Sequence, residues 1–255
     1  MTSRQRLLDD LERAAVILRR LESHVPAPRL VMFDQGLAYR YREQTPQQAL
    51  LQKLARLISG VFALDVLLIN GFIQEQAALQ RMNDELLEGI TFLALGLITG
   101  NWTNDHVRYS EAFWREESAD PDATARDIVK ISKIRAYNNR AYDLPDPSTA
   151  DRTGRVLYRA YSGYVHAASP QVMEMFIGEP PHFAVRGLKL SPLYADHTGD
   201  IINYFFRAIS ACYTAAQAIG AVEVARDAYA QVLSFQKDFA EALYPRGTPP
   251  LRRTC

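Results

Sequence analysis

The chain lacks most of what makes chemistry readable in a sequence. It has two cysteines in 255 residues, Cys212 inside an apolar run and Cys255 at the last position. That is too few for a disulfide framework and has no zinc-like spacing, which points to a reducing, cytoplasmic setting. No His-Glu-x-x-His, Walker A, Gly-x-Gly-x-x-Gly or Gly-x-Ser-x-Gly string occurs. A pair of Glu-x-x-His motifs, as in a ferritin-like di-iron site, is also missing. The expectation is therefore no cofactor and no metal. Net charge is absent too, with 29 basic and 29 acidic residues, so no global field draws the protein to nucleic acid or anionic lipid, and any such attraction is local. There is no repeat or low-complexity tract.

Long uninterrupted apolar runs are missing as well. Residues 57–73 come closest, but Asp65 sits at their centre and Asn70 near their end. A central Asp costs about 2.5–3.5 kcal/mol on insertion into a bilayer, so a helix inside a protein bundle explains the run better than a membrane span. Residues 86–99 repeat the pattern around Glu88. Each of these two buried acids needs a cation, and Arg56, Arg81 and Arg159 are the candidates by sequence. The first residues lead into an amphipathic helix rather than an apolar signal segment.

What the chain does have is helix punctuation. Thr45-Pro46-Gln47-Gln48 reads as an N-cap, a proline in the first turn and a capping-box glutamine. Asp120-Pro121, Asp146-Pro147 and Ser169-Pro170 repeat the device of an oxygen-bearing residue before a proline. Helical spacing between these marks predicts an all-α single domain over 1–244. The first helix ends near His24 and an irregular segment follows at 25–44. Two long apolar helices are expected near 46–74 and 76–100, shorter ones near 104–117, 121–141 and 147–168, and a brief one from Pro170. The weak alternation at 179–196 suggests a hairpin or ordered loop, followed by helices near 198–219 and 221–243 and a disordered tail at 245–255. The stripe Leu7, Leu11, Ala14, Leu18 and Leu21 is narrow and heptad-like, which predicts a homodimer contact.

The most informative string is Arg159-Ala-Tyr-Ser-Gly-Tyr-Val-His166. Seven residues return a helix to within roughly 20° of the same face, so a guanidinium and an imidazole share a side, with Ser162 and Gly163 between them. Such a pair can bind a phosphate and move a proton. It can equally be an arginine in a bundle ion pair and a histidine capping a helix C-terminus. Upstream, residues 126–159 hold eight basic residues against four acidic ones. Lys130, Lys133, Arg135, Arg140 and Arg155, interleaved with Tyr137 and Asn138, suit a single-stranded RNA groove. A solvated helix face reads the same way. His24, His106, His182 and His197 have no paired spacing and are expected to be structural.

An arginine followed by a histidine late in a helix of an all-α bundle resembles the HEPN superfamily. The string Tyr158 to His166 with Ser169-Pro170 is similar to a poorly characterised bacterial branch of it. The resemblance implies metal-independent RNA cleavage in a groove formed by two subunits, or RNA binding alone in members that have lost catalysis. Carried over, Arg159 binds the phosphate and His166 is the acid/base. Six residues separate the two, the long edge of the pattern, and Ala160 stands where a polar residue is frequent. The alternative is a non-catalytic helical scaffold or regulator that binds a protein partner or an apolar small molecule.

Overall fold

The computed structural model describes residues 3–33, 36–115, 129–141 and 147–244, and 74% of them are helical. In chain order the elements are α1 (Ser3–Glu22), the hairpin β1 (Arg29–Phe33) and β2 (Gly36–Arg40), α2 (Pro46–Ile69), α3 (Ile73–Thr99), α4 (Asn104–Trp114), α5 (Ile131–Ala141) and α6 (Pro147–Val165). Then come α7 (Ser169–Met173), the two-residue strands β3 (Phe176–Ile177) and β4 (His182–Phe183), α8 (Leu193–Ile219), α9 (Val222–Asp238) and α10 (Ala240–Leu243). Both sheets are two-stranded and antiparallel. The all-α expectation holds. No described helix is long and apolar enough to cross a membrane.

Local chemistry sets the helix ends. Thr45 Oγ1 accepts from the Gln48 amide at 3.2 Å and Gln48 Oε1 accepts from the Thr45 amide at 2.9 Å, the reciprocal cap that starts α2. The fully buried Gln48 also donates to the Pro26 carbonyl, tying down the loop before the helix. The turn into α3 needs Gly71 at φ +82°, and its carbonyl accepts from the Leu188 amide at 2.7 Å.

The main core lies among α1, α2, α3, α8 and α9, with Leu11, Leu21, Leu54, Leu64, Leu93, Phe205 and Phe235 fully buried. α8 contributes Ala208, Ala215 and Ala216, all fully buried, so its backbone approaches its neighbours closely. α5 and α6 form an outer layer against α3. A small satellite core of Phe92, Val129 and Ile134 sits beneath it, with Tyr109 and Tyr137 packed on its edge.

Four expectations change. The 25–44 segment contains an antiparallel hairpin, pairing Leu30 with Tyr39 and Met32 with Leu37; all four side chains are exposed. α8 begins at Leu193 rather than near 198, and the later hairpin shrinks to 176–183. The α1 stripe lies inside the chain: Leu7, Leu11, Ala14, Ile17 and Leu21 are all buried against α2, α8 and α9. Adding Ile17 makes the face broad enough for a core, so it gives no argument for a second subunit. Asp65 pairs with Arg4 through two bonds of 2.9 and 2.6 Å, and Glu88 pairs with Arg135, so neither takes Arg56, Arg81 or Arg159. The stretch 121–128 and the tail at 245–255 lie outside the described residues.

Candidate functional site

Three tyrosines fix the rotation of α6. Tyr158, Tyr161 and Tyr164 recur every three residues and turn toward α3, α7 and α8. The Arg81 guanidinium lies 3.6 Å from the Tyr158 ring centre. The Tyr161 hydroxyl donates to Asp200 at 3.3 Å, and the Tyr164 hydroxyl donates to Glu174 at 3.0 Å. Burial, reinforced by Glu174, pushes Tyr164 up to about 12, and burial with Asp200 raises Tyr161 further. Both therefore act as hydrogen-bond donors at neutral pH, not as bases. Beneath them His197 is buried and edge-on to the Tyr164 ring; burial lowers its pKa, which keeps it neutral.

With that face turned inward, Arg152, Arg155, Arg159 and His166 occupy an outward arc of roughly 60°, and all four are exposed. No side-chain hydrogen bond or ion pair holds Arg159 or His166 among the described residues. The alternative in which Arg159 neutralises Asp65 or Glu88 is ruled out by their actual partners. His166 is the C-cap residue of α6. Ala167 follows in the left-handed region at φ +49°, and the Ala168 amide bonds back to the Gly163 carbonyl at 2.9 Å, a Schellman closure. α7 packs close to Gly163: a Cβ there would sit 2.5 Å from Gln171 Oε1, so the end of that side chain would have to move aside. The helical rise separates Arg159 and His166 by about 10 Å, so a phosphate shared by both would lie over Ser162 and Gly163.

The other basic and aromatic residues divide. Lys130, Lys133, Arg140 and Arg155 are exposed, although Lys133 lies 3.9 Å from Asp105. Arg135 and Asn138 face inward, 8% and 3% exposed. Arg135 Nε donates to Glu88 at 3.1 Å and Asn138 donates to the same carboxylate at 2.8 Å. These two are structural anchors of α5 rather than members of an open face. Tyr137 is half-buried, packs edge-on against Phe92 and His106, and donates to the Asn101 carbonyl. His106 is fully buried, stacked on Phe92 and bonded to its carbonyl at 3.1 Å, the structural role expected of it. Among the described residues no group of three His, Cys, Asp or Glu side chains is placed to hold a metal.

Compared with known proteins, the chain matches no family model, no curated protein and no solved structure.

Two features escaped the sequence reading. The tyrosine period that aims α6 was present in the string Tyr158-x-x-Tyr161-x-x-Tyr164 and gives the inward face directly. Lys53, which lies under the outer layer, carried no comparable signal.

Proposed function

We propose that the protein binds single-stranded RNA along the outward arc of α6, with Arg159 on a phosphate and His166 as the proton-transfer group of a metal-independent cleavage. The observation that supports this reading is that Arg159 and His166 share an exposed face and neither has a side-chain partner among the described residues. In the reaction the ribose 2′-oxygen attacks the adjacent phosphorus and the bond to the 5′-oxygen breaks. A 2′,3′-cyclic phosphate and a 5′-hydroxyl result. The neutral imidazole takes the 2′-hydroxyl proton, and the leaving oxygen gains its proton from solvent. Arg159 stabilises charge growing on the non-bridging oxygens. Arg152, Arg155, Lys130 and Arg140 extend the electrostatic track, and a homodimer remains part of the proposal through the resemblance.

The test is fluorescence anisotropy and gel cleavage with a labelled RNA 20-mer. Affinity should fall steeply with salt, because bound phosphates release counterions. Arg159→Ala should weaken both binding and turnover. His166→Ala should leave binding intact and slow cleavage by about 10²–10⁴-fold, and EDTA should change neither. Absence of RNA binding at about 50 mM salt would overturn the reading. Binding without cleavage would reduce it to recognition alone.

A further inference from the structure

A second site lies beneath the outer layer, and it shares only Lys130 with the track proposed for RNA. Between α2, α3, α4, α5 and α6 there is a cavity of about 590 Å³, within the range of small-molecule sites. Leu86, Ile131 and Ile134 give it aliphatic walls, and Tyr109, Phe113 and Tyr158 add rings. Two lysines line it, Lys53 and the exposed Lys130. Lys53 of α2 reaches up so that its ammonium lies 4.9 Å from the centre of the Tyr109 ring and 4.7 Å from that of Phe113. The approach depends on Gly89 of α3: a Cβ there would collide with the Tyr109 hydroxyl and come 3.7 Å from the Lys53 nitrogen.

Lys53 has rings around it, and the acid that pulls on it is Glu85. Among the described residues no carboxylate lies within salt-bridge distance. The nearest acid on the cavity wall, Glu85, is exposed at the rim and held by Arg81 at 2.7 Å. Desolvation lowers Lys53 to about 8, against the pull of Glu85. A poorly solvated ammonium with no carboxylate in contact gains far more from an entering anion than a surface lysine would. Glu85 at the rim also sets a limit, since a second negative charge on the ligand would face it. We infer that this cavity is a binding site for a small apolar monocarboxylate, its carboxylate on Lys53 and its hydrocarbon body against Leu86, Ile134 and the three rings.

Calorimetric titration of the full chain with decanoate, decanol and decyl phosphate tests this. Decanoate should bind saturably at pH 7.0, with decanol and decyl phosphate at least tenfold weaker. Raising the pH to 9.5 should weaken decanoate by tenfold or more as the ammonium loses its proton. The other charged or titratable groups around the cavity are Glu85 and Arg81 on α3, Tyr109 on α4, Lys130 before α5 and Tyr158 on α6. Burial raises Tyr109 beyond this range, which leaves Lys130 and Tyr158 as the groups to control. Lys130→Gln should keep the preference for decanoate. Lys53→Met, which fills the same space without charge, should abolish both the preference and the pH dependence, and Lys53→Arg should restore the preference. No saturable binding, equal affinity for decanol, or a preference that survives Lys53→Met would each overturn the assignment. RNA binding by Lys53→Met should be unchanged, so the two sites fail separately.

Discussion

The bundle of α1, α2, α8 and α9 and the outer layer of α5 and α6 are held by different physics. In the bundle, leucines, phenylalanines and small alanines supply most of the contact, and the buried acids Asp10 and Asp65 are paired with Arg6 and Arg4. Cys212 packs against the Ala14 carbonyl, and ion pairs such as Arg20–Asp227 lie at the rim. The outer layer instead sits on polar anchors. Glu88 holds Arg135 and Asn138, Arg81 stacks on Tyr158, and Asp200 receives Tyr161. Burial of apolar area is non-directional, whereas a charged anchor fixes one rotation of a helix and fails when one partner is removed. The lesson is that orientation of the arc on α6 and the shape of the Lys53 cavity both depend on a few polar residues of α3, while global stability rests elsewhere.

Three substitutions probe that division. Phe205→Ala, in the centre of the bundle, should cost about 3–5 kcal/mol and lower the denaturant midpoint of the whole protein in one transition. Glu88→Ala should cost about 2–4 kcal/mol, because among the described residues Arg135 is left buried with the Gly154 carbonyl and the Tyr158 ring and no counter-charge. Its signature should be local: amide exchange in α5 and α6 should speed up while α2 and α8 keep their protection. Equal loss of protection everywhere would show that layer and bundle unfold as one unit. Lys53→Met should stabilise the unliganded protein by about 1–2 kcal/mol at pH 7, since a poorly solvated ammonium is replaced by an apolar chain. The pH dependence gives the sign. Below about pH 8 Lys53 is protonated in both the folded and the unfolded protein and its desolvation cost is fully felt. Between there and the ordinary lysine value near 10.4 the unfolded chain holds the extra proton, so stability of the wild type should rise with pH. Lys53→Met should lack that rise in urea titrations.

What was legible in the sequence was what local chemistry determines. The start of α2 is fixed by four consecutive residues, and the common face of Arg159 and His166 follows from their spacing. The start of α8 was written in the same language: Ser191 precedes Pro192, and its hydroxyl accepts from the Leu193 amide. The β1–β2 hairpin was hidden because its alternating Leu30, Met32, Leu37 and Tyr39 face outward, giving a short pattern with no buried partner to extend it. The partners of the buried acids lie 61 and 47 residues away, and no local pattern encodes such pairing. Gln76, Gln80 and Asn83 of α3 are fully buried, although by type they read as a solvent face. Arg135 was counted with the basic run because charge counting ignores which side of α5 meets α3. Ile131 and Ile134 mark that side, and Arg135 lies next to them.

The packing of α1 has a consequence in time. Its buried face is completed by α8 and α9, with Gln231 bonded to the Asp10 carbonyl at 2.5 Å, yet roughly 200 residues separate these helices in synthesis. At ribosomal rates of about 5–20 residues per second, α1 spends on the order of 10–40 s with Leu11, Ala14 and Leu21 only partly covered by α2. In that interval the growing chain presents an unfinished apolar groove to every chaperone and neighbouring nascent chain within reach. Substitutions on the buried face of α1 are therefore expected to lower the yield of soluble protein during synthesis as well as the stability of the finished fold.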